Sequence, residues 1–284
     1  GLFNPQGFQK NTHVFGVAGE TVVMNKKYLT LADGPAGIRI PNRFSRRYKP
    51  TTMTFYDLLN KNEIKYNPSE DPDAKFIKGN FYFRNATAFP IATSLAQSFN
   101  ENLLEQIGKA IGEEMVIFDI HLWLAPAMNI HRHPLCGRNF EYFSEDPLIS
   151  GKMAAALTRG VQSNKNKGVT IKHFACNNQE TKRMISNSIV SERTLREIYL
   201  KGFEIAIEES KPKAIMTSYN LINGKHSSER RDLLNDVLRN EWRFEGLIMS
   251  DWYTSNNYHP FEKNPKYNSQ NIIGNIKEGN NLQM

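Results

Sequence analysis

Several side chains that can act as acids, bases or hydrogen-bond donors directly follow short apolar runs of the sequence. Asp251 follows the apolar run 246–250, and the indole of Trp252 stands beside it. A carboxylate in this place can attack or polarise a sugar while the indole stacks on the sugar ring. An Asp after a strand can equally cap the next helix, and the spacing alone leaves both interpretations open.

Two further groups of polar residues have the same placement. Lys172 and His173 follow the apolar run 168–171, and Asp33 opens a glycine-bearing turn that ends at Arg39. Cationic donors and a carboxylate can hold adjacent hydroxyl groups of a ligand through charge-assisted hydrogen bonds. The alternatives are a surface lysine with a packed histidine, and an Asp33–Arg39 pair that only closes the turn.

The histidines and cysteines predict neither a metal site nor a cofactor. His121, His131 and His133 lie close in sequence, but no His-Glu-x-x-His motif or cluster of acids accompanies them. Cys136 and Cys176 are far apart and lack metal-ligand spacing, which favours a reducing compartment. No basic segment followed by an apolar one begins the sequence, so we expect a cytoplasmic rather than a secreted protein.

The chain of 284 residues has 36 Lys and Arg against 29 Asp and Glu, a net charge of +7. This excess raises the hypothesis of a nucleic-acid or polyanion binder, whose binding would weaken steeply with salt. The one local concentration of cations, residues 43–49, is typical of a solvated loop, and no zinc-finger, RNP or basic-zipper pattern is present. No apolar stretch reaches the roughly 18 residues of a membrane span. We therefore expect neither a nucleic acid nor a membrane as partner.

Short apolar runs alternate with amphipathic stretches over most of the chain. The apolar runs predict strands at 28–33, 122–125, 168–171, 214–219 and 246–250, and the start of another at 281–284. Apolar residues at helical spacing predict helices from the N-cap Asn100 onward and at 150–161, 191–209, 232–240 and 271–277. Ser191 and Thr194 form half of a capping box at the third of these helices.

Glycines mark two further positions. Gly108 and Gly112 lie one turn apart on a predicted helix, and this spacing predicts close packing of that helix on the sheet. Asn223 and Gly224 predict a turn.

Strands alternating with helices predict an α/β fold around a parallel sheet. No Gly-x-Gly-x-x-Gly follows the first strand, which argues against a dinucleotide-binding sheet. Asp33, Lys172, Tyr219 and Asp251 all end predicted strands, and a (β/α)8 barrel gathers such ends at the face that carries its active sites. We therefore predict a TIM-like barrel, complete or nearly so, with residues 43–84 as an excursion from it.

Six motifs occur in order and together resemble a known family. They are Asp33-Gly-Pro-Ala-Gly-Ile-Arg39, Leu124-Ala-Pro-Ala-Met-Asn-Ile-His131, Gly137-Arg-Asn-Phe-Glu-Tyr-Phe-Ser-Glu-Asp-Pro147, Lys172-His-Phe-Ala-Cys-Asn-Asn-Gln-Glu180, Ser218-Tyr-Asn220 and Ser250-Asp-Trp252. The chain is similar to the N-terminal barrel domain of glycoside hydrolase family 3, of the bacterial β-glucosidase type. The resemblance implies a barrel domain at 28–284, preceded by an extension at 1–27 that packs on it.

The resemblance also implies roles for residues. Asp251 matches the family's catalytic nucleophile, and Trp252 matches a neighbouring aromatic residue that contacts the sugar. The residues that match the pocket of the terminal sugar are Asp33, Arg39, Arg138, Lys172, His173, Arg183 and Tyr219. Of these, Tyr219 matches a tyrosine that hydrogen-bonds near the nucleophile. Acids within the motifs, expected to orient the basic residues, are Glu141, Glu145 and Glu180. Opposite charge on Lys172 and Arg183 is expected to keep the pKa of Asp251 low.

The activity implied is retaining hydrolysis of a terminal, non-reducing β-D-glucosyl residue through a covalent glycosyl-enzyme. Retention needs two carboxyl groups about 5–5.5 Å apart, a nucleophile and a general acid/base. In the family the acid/base follows the barrel, and no motif of this chain matches it. We expect the C-terminal α/β sandwich to be missing from the chain, so that a further domain or a partner chain supplies the acid. The alternative is a sugar-binding or inactive barrel module that needs such a partner.

Overall fold

The computed structural model describes residues 19–23, 27–40, 43–45, 81–83, 85–252, 254 and 272–284. Its strands are, in chain order, β1 Gly19–Val23, β2 Lys27–Ala32, β3 Arg43–Ser45, β4 Phe81–Phe83, β5 Leu122–Trp123, β6 Gly168–Phe174, β7 Asn187–Ser188, β8 Ala214–Thr217, β9 Leu221–Ile222, β10 Lys225–His226 and β11 Leu247–Met249. One six-stranded sheet has the order β1-β2-β5-β6-β8-β11. It is parallel from β2 to β11, with β1 antiparallel to β2, and it curls into a half-barrel. The predicted α/β fold class is confirmed.

Strands β5, β6 and β8 are buried on both faces, and successive side chains of β8 alternate between two apolar clusters. On β8, Ala214 and Met216 belong to a cluster on the face of the sheet away from the helices, whereas Ile215 packs with the helices. The same alternation holds on β11, where Met249 lies in the first cluster and Ile248 in the second. Because side chains on a strand alternate with a period of two, a strand covered on both faces is apolar throughout.

Six α-helices accompany these strands in the described residues. They are α1 Ala92–Ala96, α2 Glu101–Ile117, α3 Pro147–Gln162, α4 Glu192–Thr194, α5 Lys201–Ser210 and α6 Ile272–Lys277. A π-helical turn, Leu195–Leu200, joins α4 to α5, and a second π-helical segment spans Asp232–Glu241. Helix α3 packs against both α2 and α5. None of the described helices is both long enough and apolar enough to cross a membrane.

Helices α2 and α3 meet in backbone contact at glycines. A Cβ atom at Gly108 would lie 2.3 Å from the carbonyl oxygen of Leu157, and one at Gly160 would lie 2.1 Å from that of Glu105. Gly112 meets α3 in the same way, with a carbonyl oxygen 2.7 Å from its Cβ position. The expectation that Gly108 and Gly112 pack on the sheet is wrong, because α3 lies against this face of α2.

The helix starts follow from capping side chains. Asn100 accepts a 3.0 Å hydrogen bond from a backbone N–H of α2, and Ser191 accepts one of 3.2 Å from α4, which confirms both predicted caps. Helix α3 begins earlier than predicted because Asp146 caps it with a 2.7 Å hydrogen bond and Pro147 occupies its first position. The short helix α1 was not predicted.

Asn223 and Gly224 form a turn, as predicted, and this turn joins β9 to β10, two short strands that were not predicted. Both residues have positive φ, +50° and +90°, the conformation that tight hairpin turns require. In the interval 43–84, β3 and β4 pair in antiparallel orientation. The rest of that interval and residues 1–18, most of the expected extension, lie outside the described residues.

The sheet continues past β11 at the end of the chain. Leu282 pairs with Met249 in a parallel bridge, and the Ser250 N–H donates a 3.0 Å hydrogen bond to the Leu282 carbonyl. This bridge confirms that a further strand starts within 281–284. The described residues thus hold a half-barrel, where the sequence predicts a complete or nearly complete barrel.

Candidate active site

The polar residues predicted at strand ends lie along one edge of the sheet. Asp33 directly follows β2, and Lys172 and His173 lie near the end of β6. Tyr219 and Asp251 each come two residues after a strand, β8 and β11. Because these strands are parallel, their carboxyl ends meet at the same edge.

Asp251 is a buried carboxyl group with one unpartnered oxygen. Its Oδ1 accepts a 2.7 Å hydrogen bond from the backbone N–H of Trp252. The Tyr219 hydroxyl also donates a hydrogen bond to the carboxyl group. Oδ2 has no hydrogen-bond partner among the described residues, although Asp251 is only 4% exposed.

Burial raises the pKa of Asp251 above the ordinary value of an aspartate. The guanidinium of Arg138, the Trp252 N–H, and then Lys172 and Arg183 act in the opposite direction and offset part of the effect. The expectation that Lys172 and Arg183 hold this pKa low is therefore wrong, because the loss of water around the enclosed carboxyl group outweighs their charge. The largest cationic contribution comes from Arg138, which was predicted in the sugar pocket but not among the residues that set this pKa.

His173 is a neutral neighbour of Asp251. Its Nε2 lies 3.7 Å from Asp251 Oδ2 and 2.9 Å from Nη2 of Arg138. A guanidinium can only donate, so Nε2 accepts this hydrogen bond. Burial lowers the pKa of His173 well below its ordinary value, and the charges of Arg138, Lys172 and Arg183 act in the same direction. The contact between His173 and Asp251 is therefore not an ion pair.

An irregularity in β6 brings Lys172 and His173 to the same site. Neighbouring residues of a regular strand point to opposite faces. Between Lys172 and Phe174, however, the register of β6 against β8 shifts. Irregularities of this kind re-aim side chains, and they are common next to active sites. Lys172 thereby reaches Asp33 while His173 reaches Asp251.

Two acids hold two of the arginines of the site, Arg138 and Arg183. Nε of Arg138 donates to Oε1 of Glu141, and Nη1 of Arg183 donates a 2.9 Å hydrogen bond to Oε2 of Glu180. The guanidinium of Arg183 also lies over the ring of Tyr219, 4.4 Å from its centroid. Such a contact is attractive because the ring face is negative. These contacts fix the orientation of both guanidinium groups.

Asp33 lies between two cations. Its Oδ1 accepts a 2.9 Å hydrogen bond from Nζ of Lys172, and its Oδ2 accepts one of 2.5 Å from Arg39. Lys172 is buried, whereas the Arg39 side chain is 71% exposed. Burial alone would raise the pKa of Asp33, but the charges of Lys172 and Arg39 bring it below its ordinary value. The positive charge of Lys172 acts on Asp251 as well, so one ammonium group influences the pKa of both carboxyl groups.

Residues 75–266 match the family model of the glycosyl hydrolase family 3 N-terminal domain. The chain belongs to this family. Beta-glucosidase A of Butyrivibrio fibrisolvens is 55% identical over 167 residues, which cover 59% of this chain and 20% of that protein. An exo-alpha-(1->6)-L-arabinopyranosidase of Bifidobacterium longum is 43% identical over 201 residues, 68% of this chain and 26% of that protein.

A solved structure matches over nearly the whole chain. Beta-glucosidase 3B from Thermotoga neapolitana, in complex with alpha-D-glucose, is 43% identical and superimposes with a TM-score of 0.77. The match covers 99% of this chain and 33% of that one. This family 3 domain therefore spans a minor part of each relative's length.

Three buried side chains around the candidate site were not predicted. The Asn129 side chain hydrogen-bonds the backbone of His173. Nδ2 of Asn177 donates to the Tyr142 hydroxyl and to Glu180, both at 3.1 Å. Asn129, Tyr142 and Asn177 lie within the sequence motifs, and the amide of Asn129 in the otherwise apolar stretch 124–130 was the available signal. Spacing along the chain does not reveal these partners, which come from other parts of the sequence.

A buried amide chain fixes the turn that carries Asp251. Nε2 of Gln283 donates to the hydroxyls of Ser250, at 2.7 Å, and Thr254, at 3.0 Å. Nδ2 of Asn275 in turn donates to Oε1 of Gln283 at 2.7 Å. The hydroxyls of Ser250 and Thr254 lie on either side of Asp251 in the sequence. Gln283 therefore holds the turn of this candidate nucleophile at both ends.

The remaining predicted residues lie at the margin of the site. Trp252 is half-buried and packs against the strand cluster away from the helices. Glu145 is exposed, and its described partner is the Ser144 hydroxyl at 3.3 Å rather than a basic side chain. In the part of the chain that the structure describes, no three His, Cys, Asp or Glu side chains group in a way that could hold a metal.

Proposed function

We propose that this domain is the catalytic barrel of a retaining β-glycosidase that hydrolyses terminal, non-reducing β-D-glucosyl residues. The observation that carries the proposal is Oδ2 of Asp251, a buried carboxylate oxygen without a hydrogen-bond partner in the described site. Buried polar atoms of this kind are rare, and each needs an explanation. An attacking oxygen whose partner is the substrate's anomeric carbon provides one. Family membership and the β-glucosidase relatives support the same reaction.

The reaction has two steps in this proposal. Oδ2 of Asp251 attacks the anomeric carbon and forms an ester, while the bond to the aglycone oxygen breaks and that oxygen takes a proton from a general acid. A water molecule then attacks the same carbon and gives its proton to the deprotonated acid. The ester bond breaks, and the sugar leaves with Asp251 restored as a carboxylate. Each step inverts the anomeric centre, so the product keeps the β configuration.

The neighbouring residues bind and orient the sugar. Asp33 accepts and Lys172 and Arg39 donate, a combination that suits adjacent hydroxyl groups. Arg138 stabilises the ionised form of Asp251, which the attack requires. A substrate analogue that lacks a hydroxyl would leave buried donors unpaired, and such a site rejects it strongly.

We place the general acid/base outside this chain. The carboxyl groups described around Asp251 each pair with a cation, and these are Asp33, Glu141 and Glu180. A cation favours the ionised carboxylate, so none of the three is a good proton donor. A C-terminal domain of the same protein, or a partner chain, supplies the acid in this proposal. No metal or cofactor takes part.

The proposal extends to the organisation of the protein. The strand that starts at Leu282 continues the sheet toward a complete (β/α)8 barrel. Residues 28–284 form the barrel domain, and residues 1–27 are an extension packed on it, with β1 as its part in the sheet. The location is cytoplasmic, and neither a nucleic acid nor a membrane is a partner.

Turnover by the intact protein tests the reaction. We expect hydrolysis of p-nitrophenyl β-D-glucoside with β-glucose as the first product by NMR, and Asp251→Asn should lower kcat by several orders of magnitude. Glu113→Gln, which changes an exposed acid on α2, is the matched control and should leave kcat unchanged. Near-normal turnover by Asp251→Asn, or α-glucose as the first product, would refute the proposal. p-Nitrophenyl α-L-arabinopyranoside belongs in the same panel because a relative carries that activity in its name.

A barrel module that binds sugar without hydrolysing it is the second candidate. The pairing of all three neighbouring acids with cations favours it, since a site without a proton donor can still bind. Glucose binding by calorimetry, with no turnover of any glucoside by the intact protein, would support this candidate over the first.

A further inference from the structure

Asn129 contacts both backbone groups of His173. The amide is 3% exposed and lies beyond the end of β5. Its Oδ1 accepts a 2.8 Å hydrogen bond from the His173 N–H, and its Nδ2 donates one of 2.8 Å to the His173 carbonyl. A backbone N–H only donates and a carbonyl only accepts, so these two contacts fix which end of the amide is oxygen.

The same oxygen faces the imidazole ring. Oδ1 of Asn129 lies 3.3 Å from Nδ1 of His173. An amide oxygen can only accept, so this contact favours the tautomer that carries its proton on Nδ1. At the other ring nitrogen, Nη2 of Arg138 lies 2.9 Å from Nε2 and can only donate. The two neighbours therefore require the same tautomer, with a proton on Nδ1 and a lone pair on Nε2.

We propose that Asn129 is a positioning residue that holds His173 in the Nδ1–H tautomer, so that no ring proton faces Oδ2 of Asp251. In the opposite tautomer, or in the cation, Nε2–H would point toward Oδ2, 3.7 Å away. It would then compete with Arg138 and donate to the oxygen that attacks the sugar. A nucleophile that accepts such a hydrogen bond is weaker. The consequence for catalysis rests on the proposed function, whereas the tautomer itself does not.

The charged and titratable groups around the ring agree with a neutral His173. The cations that act on it are Arg138, Lys172 and Arg183. The Tyr142 hydroxyl lies 3.5 Å from Nδ1, farther than Asn129, and engages Asn177 at shorter distances. Asp251 is the one described acid in contact with the ring. In this neutral ring, Asn129 at Nδ1 and Arg138 at Nε2 both favour the Nδ1–H tautomer, and Asn129 is the acceptor that holds the Nδ1 proton.

Long-range ¹⁵N–¹H NMR of the ¹⁵N-histidine-labelled protein tests the proposal without any substrate. His173 is assigned from the spectrum of His173→Gln. We expect a protonated Nδ1, an unprotonated Nε2, and no titration of this ring across the range where a free histidine titrates, around pH 6.5. A protonated Nε2, or a ring that is cationic near neutral pH, would overturn the proposal.

Two substitutions at Asn129 separate positioning from packing. Asn129→Ala should give a mixture of tautomers at His173 and lower kcat by about tenfold or more with little change in KM, since a wrong tautomer is costly in catalysis. Asn129→Asp keeps the acceptor oxygen and adds a negative charge, so Nδ1–H should persist while the pKa of His173 rises. If Asn129→Ala does not fold, the near-isosteric Asn129→Asp still tests the proposal by NMR. The two observations are then the persistence of the Nδ1 proton and the rise in the pKa of His173.

Asn178→Ala is the matched control. Asn178 is an equally buried amide, whose Nδ2 donates to the Ile130 carbonyl at 2.6 Å. Its loss should leave the His173 tautomer unchanged. A tautomer ratio that stays the same in Asn129→Ala, or that changes equally in Asn178→Ala, would contradict the proposal. If the protein proves to hydrolyse no glycoside, the proposed function fails while the NMR result still decides the role of Asn129.

Discussion

At the residue scale, the chemistry of Asp251 depends on a balance between burial and neighbouring cations. Burial raises the pKa of this carboxyl group, and Arg138, Lys172 and Arg183 offset part of the rise. Asp33 shows the opposite result with the same two influences, because Lys172 and Arg39 bond it directly and its pKa is lowered. Two aspartates at one edge of the sheet therefore differ in how readily they take up a proton.

The pH dependence of the intact enzyme should report this balance. Attack needs the ionised carboxylate, so kcat/KM should fall as pH drops through the raised pKa of Asp251, above the ordinary value of about 3.9. Arg138→Gln removes the cation with the largest influence and should move this acidic limb to higher pH. Arg39→Gln removes a cation that bonds Asp33 instead, and the limb should stay in place. An acidic limb of kcat/KM that moves in Arg39→Gln but not in Arg138→Gln would contradict the assignment of this limb to Asp251.

The same shifts predict opposite stability changes for two matched substitutions. For Asp251, stability falls as pH rises from the ordinary pKa through the raised one, and the penalty persists at neutral pH. Asp251→Asn should therefore raise Tm at pH 7, by about 2–4 °C for each kcal/mol gained in the free energy of unfolding. This gain in Tm should vanish below pH ~4. Asp33 contributes stability above its ordinary pKa, which is lost as pH falls through the lowered value. Asp33→Asn should lower Tm at pH 7, and thermal unfolding at both pH values checks the pair.

At the element scale, close helix contacts place the strands and hence the site. Helices α2 and α3 approach until Gly160 meets the Glu105 carbonyl, and a Cβ there would be 2.1 Å from that oxygen. Arg159 on α3 then reaches Glu105 and Glu101 of α2, at 3.1 and 3.3 Å. Exposed pairs of this kind stabilise little, so the backbone contact is the main constraint.

Gly160→Ala should therefore destabilise the protein. In an exposed helix this change would stabilise by up to about 1 kcal/mol, but here the added methyl group forces two backbones apart and should cost about 1–3 kcal/mol or more. Gly137→Ala is the control, because its Cβ would meet only a Glu180 side-chain carbon at 4.0 Å. Urea unfolding measures both. Equal effects of the two substitutions would contradict the close contact.

The hydrophobic periodicity of the sequence predicts most strands of the six-stranded sheet and most of the described helices. It does not predict features that depend on contacts between residues far apart in the chain. Asn100 and Ser191 cap helices as predicted, because capping depends on a few neighbouring residues. The partner of Gly108 was misassigned, since spacing shows that a helix packs closely but not what it packs against. Gln283 gave no signal, because its role depends on contacts with Ser250 and Thr254, about thirty residues away.

At the scale of the whole molecule, the proposal divides the chemistry between this barrel and a group outside it. In this proposal, the domain contributes the candidate nucleophile and the residues that bind the sugar. The acids described beside Asp251 are paired with cations, so protonation of the leaving group depends on the rest of the protein. The chain spans only a third of the related Thermotoga structure, which leaves room for such a group.

The leaving group should reveal this division. General-acid assistance is worth about 10²–10⁴-fold and matters most for poor leaving groups. The 284-residue chain should therefore hydrolyse dinitrophenyl β-glucoside slowly and cellobiose hardly at all, whereas the intact protein should hydrolyse both. The measurement is the hydrolysis rate of dinitrophenyl β-glucoside and of cellobiose, each with the 284-residue chain and with the intact protein. Fast and equal turnover of cellobiose by the chain alone would mean that the acid lies within it.

Covalent trapping tests the central claim, that Asp251 is the nucleophile, most directly. The intact protein is incubated with 2,4-dinitrophenyl 2-deoxy-2-fluoro-β-D-glucoside, whose glycosyl-enzyme hydrolyses slowly because the fluorine destabilises the transition state of its release. Peptide mass spectrometry should find one fluoroglucosyl group on the peptide that contains Asp251, and none in Asp251→Asn. A label on another carboxylate, or undiminished labelling of Asp251→Asn, would contradict the account.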